Sequence, residues 1–243
     1  MIRSLLGAIQ FLTIVPVRAR TASPGAAAFW FPLIGAVIGA VGATLFVGLK
    51  PWIGAPLAAV AAVTVWCFFT GGLHEDGLAD VADAVRAGRS VDKMFAILKD
   101  PAIGVYGGLV LILSVMVRWQ AVQELPSDRV IWIAAVAGAL SRATMVILAY
   151  ISRPARAGLG FFFASSLTRF GFVSAIAWSL LAAFSLGWRP AFAILLAQYL
   201  LIRLARAWFE NRLGGITGDC LGATGLAVEL SALVLLTCQR CSW

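Results

Sequence analysis

Three aspartates set the first chemical constraint. In Gly71-Gly72-Leu73-His74-Glu75-Asp76-Gly77-Leu78-Ala79-Asp80-Val81-Ala82-Asp83, the acids Asp76, Asp80 and Asp83 stand at i, i+4 and i+7. At about 100° per helical residue they fall within an arc of roughly 60°. Like charges spaced this way repel each other even in water, so the stripe calls for a cation. Oxygen ligands without cysteine favour Mg²⁺ or Mn²⁺, and His74 is the only histidine in the chain, which excludes a multi-histidine zinc site. The competing account is a solvated helix face whose acids pair with Arg86, Arg89 and Lys93. For three acids in register beside apolar sequence, a metal site is the expectation.

Two further segments supply what a phosphate reaction needs. Leu98-Lys99-Asp100-Pro101-Ala102-Ile103-Gly104-Val105-Tyr106-Gly107 sets a cation beside an anion, with glycines that let backbone approach a ligand. It reads equally as a junction from loop to helix with Pro101 near the first turn. Gly214-Gly215-Ile216-Thr217-Gly218-Asp219-Cys220 places glycines before a helix start, where free N–H groups and the helix dipole favour anions. Asp219 there would oppose a bare phosphate and suit a metal–phosphate. Arg142 and Glu229 lie inside apolar runs, where a charge costs about 2.5–3.5 kcal/mol unless paired. Arg142 is read as gripping phosphate, against the alternative of a buried pair with Glu229.

The elements that must hold these groups are membrane spans. Of 243 residues, 61% are hydrophobic and 12% charged, with a mean hydropathy of +0.94. That leaves too little polar surface for a water-soluble globule and excludes an ordinary cytosolic enzyme, a disordered chain or a nucleic-acid module. Seven stretches are apolar and about long enough to cross a bilayer: Ala27–Leu49, Pro51–Leu73, Ile103–Gln123, Val130–Ile151, Phe170–Trp188, Pro190–Ala207 and Cys220–Cys238. Ser4–Val17 is short and ends near Pro16, which predicts an interfacial or re-entrant helix. The expected fold is an all-α, polytopic integral membrane protein of about seven transmembrane helices, forming a single membrane-embedded domain over residues 1–243. Gly35, Gly39 and Gly42 read as a close helix-packing face. The CxxC of Cys238 and Cys241 reads as incidental.

With the N-terminus in the cytoplasm, one side holds Arg3, Arg18, Arg20, Arg86, Arg89, Lys93, Lys99, Arg153, Arg156, Arg169, Arg206 and Arg212. The other holds Lys50, Arg129, Arg189 and Arg240. This asymmetry predicts that the net charge of +8 anchors the inner face and does not bind nucleic acid. No cleavable leader is expected, because 1–17 lacks a small-residue cleavage site and runs into Arg18 and Arg20. The expected location is the cytoplasmic (inner) membrane, multi-pass, with the N-terminus and the acidic segment on the cytoplasmic side. Six of the eleven acids lie between Glu75 and Asp100, so the chemistry is expected there.

The residues 71–85, 99–107 and 214–223, together with Phe11–Val17, Phe31–Ala40 and Ser141-Arg142, resemble the cobalamin synthase family of adenosylcobinamide-GDP ribazoletransferases, in order along nearly the whole chain. Departures from the family pattern are Glu75, where an apolar residue is usual, and Pro101-Ala102, where Ser-Arg is commoner. The resemblance implies a Mg²⁺-dependent enzyme of the bilayer. It would join adenosylcobinamide-GDP to α-ribazole or its 5′-phosphate, release GMP and complete the cobalamin nucleotide loop. Gly71, Gly72, Gly104, Gly107, Gly215, Thr217 and Gly218 would then bind substrate, and the state of association, homo-oligomer included, is left open.

Such a transfer is displacement at a diphosphate phosphorus by a ribose hydroxyl, governed by positioning and charge neutralisation. Asp76, Asp80, Asp83 and Asp219 are expected to hold one or two Mg²⁺ ions. Lys99 and Arg142 would stabilise phosphate charge, and His74 or Asp100 would take the acceptor proton. Two other readings remain. A cation transporter would want acids near mid-membrane and wide access from both faces. A phosphotransferase using CDP-alcohols would show an arginine at a set offset after the first Asp-Gly, which this chain lacks.

Overall fold

The computed structural model describes residues 1–87, 90–156 and 158–238. Arg89, Arg240 and Cys241, which figure in the charge and cysteine readings above, lie outside the described residues. Eleven α-helices account for most of what is described: α1 (Ile2–Leu12), α2 (Pro24–Ala27), α3 (Phe31–Phe69), α4 (Leu73–Ala87), α5 (Val91–Ile97), α6 (Val105–Glu124), α7 (Val130–Ile151), α8 (Leu159–Ser166), α9 (Arg169–Phe184), α10 (Trp188–Leu213) and α11 (Gly218–Leu236). No strand occurs among the described residues. An isolated β-bridge joins Pro154 and Ile216.

Helix α3 has 39 residues, which would extend about 58 Å if straight, nearly twice the roughly 30 Å hydrocarbon core. It is not straight. Gly54 leaves helical geometry at φ 78° and ψ 161°, between Pro51 and Pro56. Trp66 Nε1 then donates to the carbonyl of Gly39 at 3.2 Å, two positions that a continuous helix would hold about 40 Å apart. Helix α3 is therefore a hairpin of two limbs, and its small residues make that possible. A Cβ at Gly42 would lie 2.3 Å from the Trp66 indole nitrogen, and one at Gly39 would lie 2.1 Å from the Ala134 carbonyl. One at Gly35 would meet the Gly138 carbonyl at 2.2 Å. This is the close packing read from the glycine spacing, and it joins α3 to α7, the most enclosed helix of the bundle.

Hydrogen bonds at the helix ends sort the loops into two groups. At one end, Ile14 N–H donates to the Phe69 carbonyl (3.0 Å) and Ile216 N–H to that of Arg153 (2.8 Å). There too, Gly25 N–H donates to Ser166 Oγ (3.1 Å). At the other end, Lys50 Nζ reaches Ser127 Oγ (2.8 Å) and Trp132 Nε1 reaches Ser185 Oγ (3.0 Å). The chain thus passes between the ends seven times, through the two limbs of α3 and through α6, α7, α9, α10 and α11. Five helices are by themselves long and apolar enough to cross a bilayer, or six if α8 and α9, bent by 99°, form one span. The expected seven differ from that count because the first two passes share one helix broken at Gly54.

Helix α1, at 11 residues, reaches only about 16 Å and stays at the first end. Phe11 stacks there on Phe31 and Phe163, with centroids 5.4 and 5.6 Å away. Helix α8, of eight residues, lies before the expected span Phe170–Trp188 and is too short to show as a span in the sequence. Outward faces of α6 and α10 expose Leu109, Ile112, Leu113, Phe192, Leu196 and Leu204, as surfaces facing lipid must. Cys238 is disulfide-bonded; the reading of its CxxC rests on Cys241, outside the described residues.

Candidate active site

The first end of the bundle carries the polar segments, and four elements build a cavity of about 270 Å³ there. Helix α4 contributes Asp76, the segment after α5 contributes Lys99, the loop before α8 contributes Arg156, and the start of α11 contributes Thr217, Gly218 and Asp219. Apolar walls come from Phe11, Phe95, Phe161 and Phe163.

Close approach explains why two distant segments meet. Gly77 leaves no room for a side chain against α11, since a Cβ would fall 2.8 Å from the Asp219 carbonyl oxygen. Gly160 abuts Gly218 in the same way, at 2.5 Å from its nitrogen. Helices α8 and α11 therefore begin side by side at the cavity, and the start of a helix leaves N–H groups without intrahelical partners. Thr217 caps α11 by accepting from Cys220 N–H at 3.3 Å, and its hydroxyl donates to Asp219 Oδ2 at 3.1 Å.

The acidic stripe divides by role. Asp76 lines the cavity. Burial pushes the Asp80 carboxyl up to about 6, helped by the charges of Asp76, Asp219 and Asp83. None of Asp76, Asp80 and Asp219 forms an ion pair with a described residue. Asp83 is engaged elsewhere: its carboxylate accepts from Gly104 N–H (2.7 Å) and Gly107 N–H (2.9 Å), capping α6 from α4. A Cβ at either glycine would collide with Asp83, so both glycines serve this cap.

Among the described residues no three His, Cys, Asp or Glu side chains close around a point as a ready-made metal cage. The donor set still fits Mg²⁺. That ion is usually held by one or two carboxylates, with water and substrate phosphate filling the remaining positions. Asp76 and Asp219 are the carboxylates that could hold it at the cavity, with Asp80 beside them.

Several residues expected at the site lie apart from the cavity. Gly71 and Gly72 take φ of 64° and 70° in the turn from α3 to α4, a left-handed conformation open to glycine. Asp100 Oδ1 accepts from Ala102 N–H at 3.0 Å in an exposed turn. Gly215 packs on the Arg153 carbonyl, 2.4 Å from where its Cβ would be. His74 is 1% exposed, and neither ring nitrogen has a partner. Burial, with the nearby Arg142 and Arg118 guanidiniums, holds its imidazole well below the usual histidine range and hence neutral.

Arg142 is 3% exposed and is held by Glu229, Nη1 to Oε2 at 2.6 Å. Glu229 also takes Arg118, Nη2 to Oε1 at 2.7 Å, and Arg118 completes a bond to Glu75. Two cations and two anions thus cancel inside the bundle and tie α4, α6, α7 and α11 together. Arg142 does not line the cavity, because a guanidinium at this depth takes the nearest carboxylate.

Two residues escaped the sequence reading. Arg118 is a charge within a predicted span, and such a charge must find a counter-charge; Glu75 was the available signal. Arg156 counted only as inner-face charge. Its Nη2 lies 2.6 Å from Asp92 Oδ1 and its guanidinium 4.0 Å from the Phe95 ring centroid, on the cavity wall.

Residues 4–237 match the family model described as Cobalamin-5-phosphate synthase. The chain is 38% identical over 212 residues to adenosylcobinamide-GDP ribazoletransferase of Escherichia coli strain K12, covering 85% of this chain and 84% of that protein. The protein of the same name from Shigella boydii serotype 4 matches with the same identity and coverage. No solved structure matches.

Proposed function

The chain belongs to the cobalamin-5-phosphate synthase family, and on that premise we propose that it is a transferase of cobalamin biosynthesis, an adenosylcobinamide-GDP ribazoletransferase. It moves the adenosylcobinamide-phosphate group from adenosylcobinamide-GDP to α-ribazole or its 5′-phosphate. The acceptor hydroxyl oxygen bonds to the cobinamide-side phosphorus and gives its proton up to water, the bond from that phosphorus to the bridging oxygen breaks, and GMP leaves. The observation that carries this reading is one cavity that combines the carboxylates Asp76 and Asp219, the cations Lys99 and Arg156, and two helix N-termini.

Each group has a role in that chemistry. N–H groups at the starts of α8 and α11 bind phosphate oxygens. Lys99 and Arg156 balance charge that builds on the leaving phosphate. Mg²⁺, held by Asp76 and Asp219 with Asp80 adjacent, would neutralise the diphosphate and polarise its P–O bonds. Asp83 orients α6 against α4. Arg142 acts through Glu229 as a positioning residue and does not touch phosphate.

We assign the cavity end of the bundle to the cytoplasmic side of the inner membrane. Arg3, Arg18, Arg20, Arg86, Lys93, Lys99, Arg153, Arg156, Arg169, Arg206 and Arg212 gather toward it, against Lys50, Arg129 and Arg189 at the other. That distribution supports the assignment through the positive-inside rule.

The test is GMP release by detergent-purified protein given adenosylcobinamide-GDP and α-ribazole 5′-phosphate, with and without Mg²⁺. Release that requires both substrates and the metal is expected. No release with either acceptor overturns the assignment.

A further inference from the structure

On the outer surface of the bundle, α7, α9 and α10 enclose a groove of about 480 Å³. Its slot is apolar, lined by Ile147, Phe172, Ile176, Leu180, Leu195 and Ile202. The buried polar residue in its floor, Gln198, is already spent: its amide nitrogen lies 3.3 Å from the Leu140 carbonyl, 3.0 Å from Thr144 Oγ1 and 3.1 Å from Ser179 Oγ. The slot therefore offers little to a polar ligand.

Its mouth is different. Arg203 and Arg206 line it one helical turn apart, on the same face of α10. Arg206 Nε is 3.1 Å from Glu210 Oε1, whereas Arg203 forms no hydrogen bond or ion pair with a described residue. The last turns of α10, from Arg206 on, gather the polar residues Arg206, Glu210, Asn211 and Arg212, whereas 190–202 holds no charge. The hydrocarbon boundary thus falls near Arg206, and Arg203 sits about 4.5 Å inside it. An exposed guanidinium at that depth needs an anionic partner or a route to the interface.

We infer that this groove binds one anionic phospholipid from the leaflet on the active-site side, its phosphodiester on Arg203 and Arg206 and an acyl chain in the slot. Charge complementarity selects the occupant. A phosphodiester accepts parallel hydrogen bonds from a guanidinium fork, and basic pockets between spans are a recurring site for such headgroups. A zwitterionic lipid would bring its ammonium toward two arginines, and a neutral one would leave Arg203 without an anion. From Arg206 to Leu195 the helix rises about 16 Å, which gives a chain a continuous apolar bed.

Native mass spectrometry of the full chain in mild detergent tests this, using phosphatidylglycerol and phosphatidylcholine of identical acyl chains and, separately, inorganic phosphate. One phosphatidylglycerol should be retained per chain, with at least about tenfold preference over phosphatidylcholine. Phosphatidylglycerol alone of the three should raise the thermal midpoint. Arg203→Leu should remove the preference and Arg203→Lys should keep part of it. Ile176→Trp, which fills the slot and leaves both arginines in place, should lower retention. Equal retention of the two lipids overturns the proposal, as does unchanged preference in Arg203→Leu. So does equal protection by inorganic phosphate, or undiminished retention in Ile176→Trp.

Discussion

Gly77 on α4 and Asp219 on α11 are in backbone contact, and that contact brings the two acidic segments of the chain to one cavity. A methyl group at residue 77 would sit 2.8 Å from the Asp219 carbonyl oxygen and 3.0 Å from its Cα. Backbone cannot yield as a flexible side chain would. Gly77→Ala should therefore separate Asp76 from Asp219 while α4 remains helical. The expected result is at least a tenfold fall in GMP release, about 1.4 kcal/mol in transition-state terms, with a raised half-saturating Mg²⁺ concentration and nearly unchanged circular dichroism.

Asp76 and Asp83 belong to the same stripe but should respond differently to the same substitution. Asp83→Asn keeps one acceptor and loses one of two bonds that cap α6, so it should cost about 1–3 kcal/mol of stability. Its half-saturating Mg²⁺ concentration should change little. Asp76→Asn should leave the thermal midpoint almost unchanged and reduce activity by about two orders of magnitude, consistent with losing a carboxylate that neutralises reacting phosphate. Thermal melts alongside Mg²⁺ titrations of GMP release separate the two.

The buried quartet of Glu75, Arg118, Glu229 and Arg142 should reward removal in pairs. Glu75→Leu alone leaves a buried guanidinium short of charge, and breaking such a pair costs about 3–5 kcal/mol. Adding Arg118→Leu restores neutrality and should recover most of that loss in a double-mutant cycle. If the double variant melts no higher than the single, the quartet is not held together by charge balance.

Acidity should weaken the metal dependence through Asp80. Its carboxyl in the folded protein is pushed up to about 6, chiefly by burial and then by Asp76, Asp219 and Asp83, against about 3.9 for an unfolded aspartate. A folded value above the unfolded one means that metal-free protein is favoured below about pH 4 and loses that advantage as pH rises through about 6. A bound cation favours the ionised form, so Mg²⁺ should raise the thermal midpoint more at pH 7.5 than at pH 5. Asp80→Asn should flatten the pH dependence of that difference.

Much of the architecture was legible because it follows from solvent. Uncharged runs of about twenty residues have one stable place, and the basic residues sort to one end because positive charge resists crossing. The Asp76 and Asp219 clusters were legible because carboxylates in register and glycines before a helix start have few uses. What the residue pattern could not give was the partner of each charge. Nothing in the spacing tells that Asp83 faces the amides of Gly104 and Gly107 whereas Asp76 faces open space. That depends on how α4 rolls against α6 and α11, a tertiary matter of Gly77 and the buried quartet. The pair of Arg142 with Glu229 was legible only as the alternative to a phosphate grip, since the two lie 87 positions apart and meet through the packing of α7 on α11. The reversal between the first two passes was legible at Lys50-Pro51, between two uncharged runs; the structure sets it four residues after Lys50, at Gly54.

The hairpin at Gly54 also bears on how the protein is made. Its two limbs can leave the ribosome and enter the bilayer as one unit, already packed through Gly39, Gly42 and Trp66. Their combined passage is a round trip, so the acidic helix that follows returns to the end of the bundle from which α3 starts. With that end on the side of synthesis, as proposed above, none of its carboxylates has to be translocated.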